Sequence, residues 1–173
     1  KYKKMIKFVY QNSPLGTGDA VLKTQKFIKD KYFLMLLPDD LIIKKNCSKD
    51  MISVHKKNKA SVMASMLVKR NNVSRWGIYK LSKKIDKNNF KISDVVEKPL
   101  IQKAPSNQAV IGRYILPKTI FNEIKKLKPG KGQEIHITDA IRSLIKKNSK
   151  FIAHKFKGKY LDCGTMSGYI NSS

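Results

Sequence analysis

The chain has 173 residues and 41% apolar side chains, enough for one domain with a real core, and no apolar run approaches the ~20 residues that cross a bilayer. Its net charge of +25 is carried almost wholly by lysine, since arginine stands only at 70, 75, 113 and 142. The lysines run from end to end with no single stripe, which reads as compositional bias and solvated faces ahead of a working polyanion surface. Cys47 and Cys163 lie far apart in no CxxC arrangement, which fits a reducing compartment, with the cytoplasm as default. His55, His136 and His154 share no ligand spacing, and no zinc site is argued.

In chain order, Ile6–Tyr10 (IKFVY) reads as a strand feeding a glycine corner, and Ala20–Ile28 follows with helical spacing. YFLMLLPDD is a continuous apolar run stopped by Pro38 and two aspartates, the pattern of a strand buried on both faces in a parallel sheet. Ser48 is placed to cap a helix over Asp50–Lys59, and ASVMASMLV reads as another strand. RWGIYKL and FKISDVVEKP form two strands joined by an Asp-Lys-Asn-Asn turn, and SNQAVIGRYILP is strand-like again. Pro117 or Thr119 opens a helix over Ile120–Lys128, ended by Pro129-Gly130. Thr138 caps a helix over Asp139–Lys147, FIAHKFKG is a last strand, and LDCGTMSGYI is a loop that opens a helix. The alternation argues for an α/β fold with antiparallel pieces between Arg75 and Pro117.

Ligands of parallel sheets bind beyond the carboxyl ends of strands. Asp39 and Asp162 each lie there, and two such carboxylates suit a shared Mg²⁺; the alternative is a pair of turns. Asp40 is either an outer-shell group or a helix lead-in. Glu97 and Lys98 follow a strand, with Pro99 fixing the exit: the carboxylate suits sugar hydroxyls and the lysine a phosphate, or both are solvated charges. The corner at Gly16-Thr17-Gly18 matches neither a Walker A loop nor GxGxxG, and Asp19 would repel a triphosphate. Glycine still permits close approach of a flat ring, and Gln11 offers an amide to a base edge.

Taken together, Q-x4-GTGDA, LPDD, WGIY, VVEKP, APSNQAVIGRYIL, GQEIHITDAI and KYLDCGTMSGY resemble bacterial UTP–glucose-1-phosphate uridylyltransferases over nearly the whole chain. The resemblance implies a Rossmann-like nucleotidyltransferase fold, with a mixed, mainly parallel central sheet and flanking helices in one domain over residues 1–173. It implies Mg²⁺-dependent joining of UTP and glucose 1-phosphate to give UDP-glucose and pyrophosphate. Carried over by motif, Gln11 and Gly16 contact uracil, and Asp39 and Asp162 hold the metal. Gly77, Glu97, Asn107 and Val110 line the sugar site, and Lys98 meets the sugar phosphate. A homodimer or homotetramer follows from the same resemblance. Nothing before Gln11 matches the family's amino-terminal strand and glycine-rich triphosphate loop, and the family's chain normally continues past GY. The expectation is therefore a core segment that is weak or inactive alone. The rivals are a glucose-1-phosphate thymidylyltransferase and a basic nucleic-acid-binding module.

Overall fold

The computed structural model describes residues 5–130 and 133–170. Among the described residues, eight strands form two sheets. The larger has the order β1-β6-β3-β7-β5-β4, from β1 (Tyr32–Leu36), β3 (Ser61–Leu67), β4 (Gly77–Lys84), β5 (Asn89–Glu97), β6 (Gln108–Pro117) and β7 (Phe151–Lys155). The smaller pairs β2 (Asp40–Ile43) with β8 (Lys159–Asp162). Five helices complete the described fold: α1 (Thr17–Lys23), α2 (Cys47–Asn58), α3 (Ile120–Ile124), α4 (Ile137–Lys146) and α5 (Met166–Ile170).

The large sheet is buried on both faces, which explains its continuous apolar runs. Along β6, Val110, Tyr114 and Leu116 face a core shared with α1, α3 and α4, where Phe121, Ile141 and Phe151 are fully buried. Ile111 and Ile115 face the other way, with Val62, Ala64 and Ile152, onto Cys47 and Met51 of α2. The result is three layers with the sheet in the middle.

Several expectations need correction. The sheet is mixed, but among the described residues only β3–β7 is a parallel pairing within it; β6 runs antiparallel to β1, β3 and β4. The ten-residue β6 is the hub, and a strand antiparallel to its neighbours on both sides makes the sheet mainly antiparallel here. β1 is the described edge of the sheet and is half-buried, with Leu34 and Leu36 exposed. Ile6–Tyr10 pairs with no described strand, and Ile6, Phe8 and Tyr10 remain exposed. The cap of α2 is Asn46, whose side chain accepts from the Lys49 N–H at 3.0 Å, and not Ser48. Thr138 lies inside the first turn of α4, which follows His136, so its hydroxyl is free for another task.

Helices α3 and α4 are stapled by a buried carboxylate. Glu123 accepts from Ser143 Oγ at 2.6 Å and from Lys147 Nζ at 2.6 and 2.7 Å. These donors pull its carboxyl down from an ordinary 4.5 to about 2, the Lys147 hydrogen bonds foremost. The folded form thus holds the ionised state more strongly than the unfolded chain does. The stabilisation is complete above about pH 4.5 and is lost as pH falls toward 2. Glu123→Gln is expected to cost about 1–2 kcal/mol at pH 7. In urea unfolding followed from pH 7 down to pH 2.5, the gap between variant and parent should narrow below pH 4.5.

Candidate active site

The site starts from the small sheet. β2 and β8 run antiparallel with Asp40 opposite Asp162, and the Cys163 N–H donates to the Asp39 carbonyl at 2.8 Å. Two aspartates far apart in sequence are thereby set side by side. A Cβ built on Gly164 would lie 2.7 Å from Asp39 Oδ2 and 3.5 Å from Asp162 Oδ1. Both carboxylates therefore border one point, and only a residue without a side chain leaves the space between them open. The Gly164 N–H donates to Asp162 Oδ1 at 3.1 Å, while Asp162 Oδ2 accepts from Arg75 Nη2 at 3.1 Å.

Asp40 is neither a helix lead-in nor a third arm of this pair. It is buried in β2, accepting from the Gly112 N–H of β6 at 2.6 Å through one oxygen and from the Tyr160 hydroxyl of β8 through the other. Burial raises its carboxyl above the usual range, against the opposing pull of those donors. It ties the small sheet to the large one. Gly112 must be glycine, because a Cβ there would lie 2.5 Å from Asp40 Oδ2 and 2.6 Å from Leu37 Cβ.

A cavity of about 550 Å³ opens beside the two carboxylates, bordered by Asp39, Asp162, Gly77, Glu97, Lys98 and Val110 among others. β4 starts at Gly77 and β5 ends at Glu97, and the two are register partners. A Cβ on Gly77 would come within 3.1 Å of both Glu97 Oε2 and Val110 Cγ2, so this glycine also keeps the cavity open. Thr138 of α4 donates to Glu97 Oε2 at 2.9 Å and so fixes that carboxylate. Lys98 holds a left-handed backbone (φ 41°), unusual for a residue with a side chain, and its N–H donates to the Trp76 carbonyl at 3.0 Å.

Three expected residues stand apart from this cavity. Gln11 Nε2 donates to Asp19 Oδ2 at 2.8 Å and to the Gly16 carbonyl at 3.2 Å. The glycine corner packs on the chain before α4, where the Gly18 N–H donates to the Ile135 carbonyl at 2.7 Å and a Cβ on Gly16 (φ 91°) would lie 2.8 Å from that oxygen. Its glycines are thus required by close backbone packing, and Asp19 serves to hold Gln11. Asn107 is turned to Arg70, whose Nη1 donates to its side-chain oxygen at 3.3 Å, and does not border the cavity. Conversely, Arg75, Thr138, Tyr160 and Gly112 have no site role in the sequence reading, where Thr138 stands only as a helix cap. Arg75 had a signal, as one of four arginines and the residue before WGIY. Tyr160 had none beyond its place in KYLDCG.

The model of the nucleotidyl transferase family matches residues 1–173. The chain belongs to this family. A curated UTP–glucose-1-phosphate uridylyltransferase 2 of Streptococcus pyogenes serotype M3 is 37% identical over 171 residues, covering 96% of this chain and 57% of the relative. Among solved structures, UDP-glucose pyrophosphorylase complexed with UDP-glucose superposes with a TM-score of 0.90 at 40% identity, over 96% of this chain and 63% of that one. The UTP-bound UGPase of Acinetobacter baumannii gives 0.78 at 31% identity, over 92% of this chain and 55% of that one. The nucleotidyl transferase chain thus spans a little over half the length of the relatives it matches. No helix among its described residues is long and apolar enough to cross a membrane.

The Asp40 tether is testable. Tyr160→Phe leaves a buried carboxylate oxygen without its hydroxyl donor, with an expected loss of about 1–3 kcal/mol. Urea unfolding with far-UV circular dichroism should show the lower midpoint and an unchanged native spectrum.

Proposed function

We propose that this chain forms the catalytic core of an enzyme joining UTP to glucose 1-phosphate, with release of pyrophosphate. The observation that carries the reading is the convergence of Asp39, Asp162 and the adjacent Glu97 and Lys98 on one cavity from three separate stretches of sequence. A cation position, a hydroxyl acceptor and a phosphate counter-charge then line one cavity of about 550 Å³. The relatives named above act as the same reading requires.

In the reaction, a phosphate oxygen of glucose 1-phosphate attacks the α-phosphorus of UTP. The new P–O bond forms as the bond to the β-phosphate oxygen breaks, and pyrophosphate leaves with the electron pair. Lys98 sets a fixed positive charge beside the attacking phosphate, and Glu97, held by Thr138, accepts from sugar hydroxyls. Val110 and Gly77 give the hexose an apolar wall and a close backbone floor. No protein nucleophile is needed, so positioning and charge complementarity supply the rate.

Asp39 and Asp162 fit a divalent ion. Their oxygens border one point, and among the described residues no group of three or more His, Cys, Asp or Glu forms a cage. Magnesium suits such a pair, because it usually takes one or two carboxylates and completes its shell with phosphates and water. When bound, the ion neutralises phosphate oxygens during displacement. On the nucleotide side, Asp19 and the Gly16 carbonyl hold the Gln11 amide nitrogen, which turns the amide oxygen away from them. An acceptor so oriented suits the N3–H of uracil.

In the full-length gene product, Asp39→Ala and Asp162→Ala are each expected to lower kcat by roughly a hundredfold or more in a pyrophosphate-release assay, with the fold retained. Normal turnover in either would remove the two-aspartate site. Thr138→Val frees Glu97, and is expected to raise KM for glucose 1-phosphate about three- to tenfold with a smaller change in kcat. An unchanged KM would detach Thr138 from sugar binding.

A further inference from the structure

Arg75 stands where a cation for Asp162 belongs. Its Nη2 lies 3.1 Å from Asp162 Oδ2, its guanidinium sits 5.8 Å from the Trp76 ring centroid, and it borders the cavity. Trp76 packs edge-on against Tyr160 at 5.7 Å, so the arginine rests on the same tether that holds the aspartates together. The contact reaches Asp162 through a single nitrogen, and the Arg75 side chain is 53% exposed, so it can leave at low cost. In a chain with 33 lysines, it is one of only four guanidinium groups that lies on this carboxylate. Arginine is the less hydrated cation and the one that pairs with carboxylate and phosphate alike.

Resting on the two-aspartate reading above, we propose that Arg75 competes with the divalent ion for Asp162, and hands over to the ion when phosphate arrives. A bare ion must displace the guanidinium and then sit near its charge. An ion that comes with phosphate gives the displaced guanidinium a new anionic partner in the same cavity. The device weakens binding of the free ion and favours the ion–phosphate complex, coupling two ligands through one side chain.

The test titrates the chain with Mn²⁺, following free ion by electron paramagnetic resonance, alone and with saturating glucose 1-phosphate. Arg75→Gln is expected to bind Mn²⁺ alone about three- to tenfold more tightly than the parent. With the sugar phosphate present that gain should vanish or reverse. Arg75→Lys, which keeps the charge, should stay within about twofold of the parent in both arms. Equal or weaker binding of Mn²⁺ alone by Arg75→Gln overturns the competition, and so does a parent and variant that both fail to bind. A gain of the same size with and without phosphate overturns the handover. Asp162→Asn separates this failure from that of the site itself: Mn²⁺ binding equal to the parent's would mean that the ion does not use Asp162.

Discussion

The site rests on one short ladder, β2 against β8, and on the buried carboxylate that anchors it. A four-residue pair of strands is not stable alone in water. Here Asp40 joins it to β6 through the Gly112 N–H, and the Tyr160 hydroxyl closes the triangle from β8. The consequence is geometric. With Asp40 opposite Asp162, the residue before Asp40 falls beside the strand end, and Asp39 meets Asp162 across Gly164. The buried aspartate is therefore a tether, and its exposed neighbour in sequence is the one available for chemistry. Adjacent residues on a strand point to opposite sides, so an Asp-Asp pair can divide these tasks in a way that a single residue cannot.

The other half of the site depends on a hairpin. β4 and β5 pair so that the first residue of one, Gly77, lies opposite the last residue of the other, Glu97. The Asp86 carboxylate closes the distant turn by accepting from the Asn88 and Asn89 N–H groups, which sets the register along the hairpin. A one-residue slip would turn Glu97 to the other face of the sheet. α4 then adds Thr138 from above, and a bidentate Arg142–Asp94 pair (2.8 and 3.0 Å) fixes the helix on β5. The Gly77–Glu97 side and the Asp39–Asp162 side are thus held by separate tethers that converge on one cavity.

Much of this was legible in the sequence, for identifiable reasons. Buried strands such as β3 and β6 declare themselves as apolar runs, and both hairpin strands and their polar turn are read from turn chemistry. Asp39, Asp162, Glu97 and Lys98, which border one cavity, are legible as candidates because strand ends with charged residues are a local signal. What failed needed information that is not local. Pairing direction depends on which strands meet, which neither the alternation of elements nor the resemblance fixes for these strands. The need for glycine at the corner was not visible locally either, since it comes from the Ile135 backbone more than a hundred residues away. Thr138 looked like a cap because hydroxyls near helix starts usually are, yet its partner is Glu97 on another element. Arg75 lacked any pattern that could tie it to Asp162 before the fold brought them together.

The charge pattern takes on a sharper meaning once the acids are located. The chain has only twelve Asp and Glu, and four of them, Asp39, Asp40, Glu97 and Asp162, border a single cavity. Four more, Asp19, Asp86, Asp94 and Glu123, form the brackets that hold α1, the hairpin turn, α4 and α3. In a molecule of +25 the cavity lining thus carries four carboxylates against two cations, Lys98 and Arg75. The long-range field draws anions of any kind toward the surface. The cavity wall repels them unless a cation is present to bridge, or unless they meet Lys98 or Arg75. A polyanion held by scattered lysines would have no need of such an arrangement. A small phosphorylated substrate that arrives with a divalent ion needs both parts of it, attraction from afar and a carboxylate pair at close range.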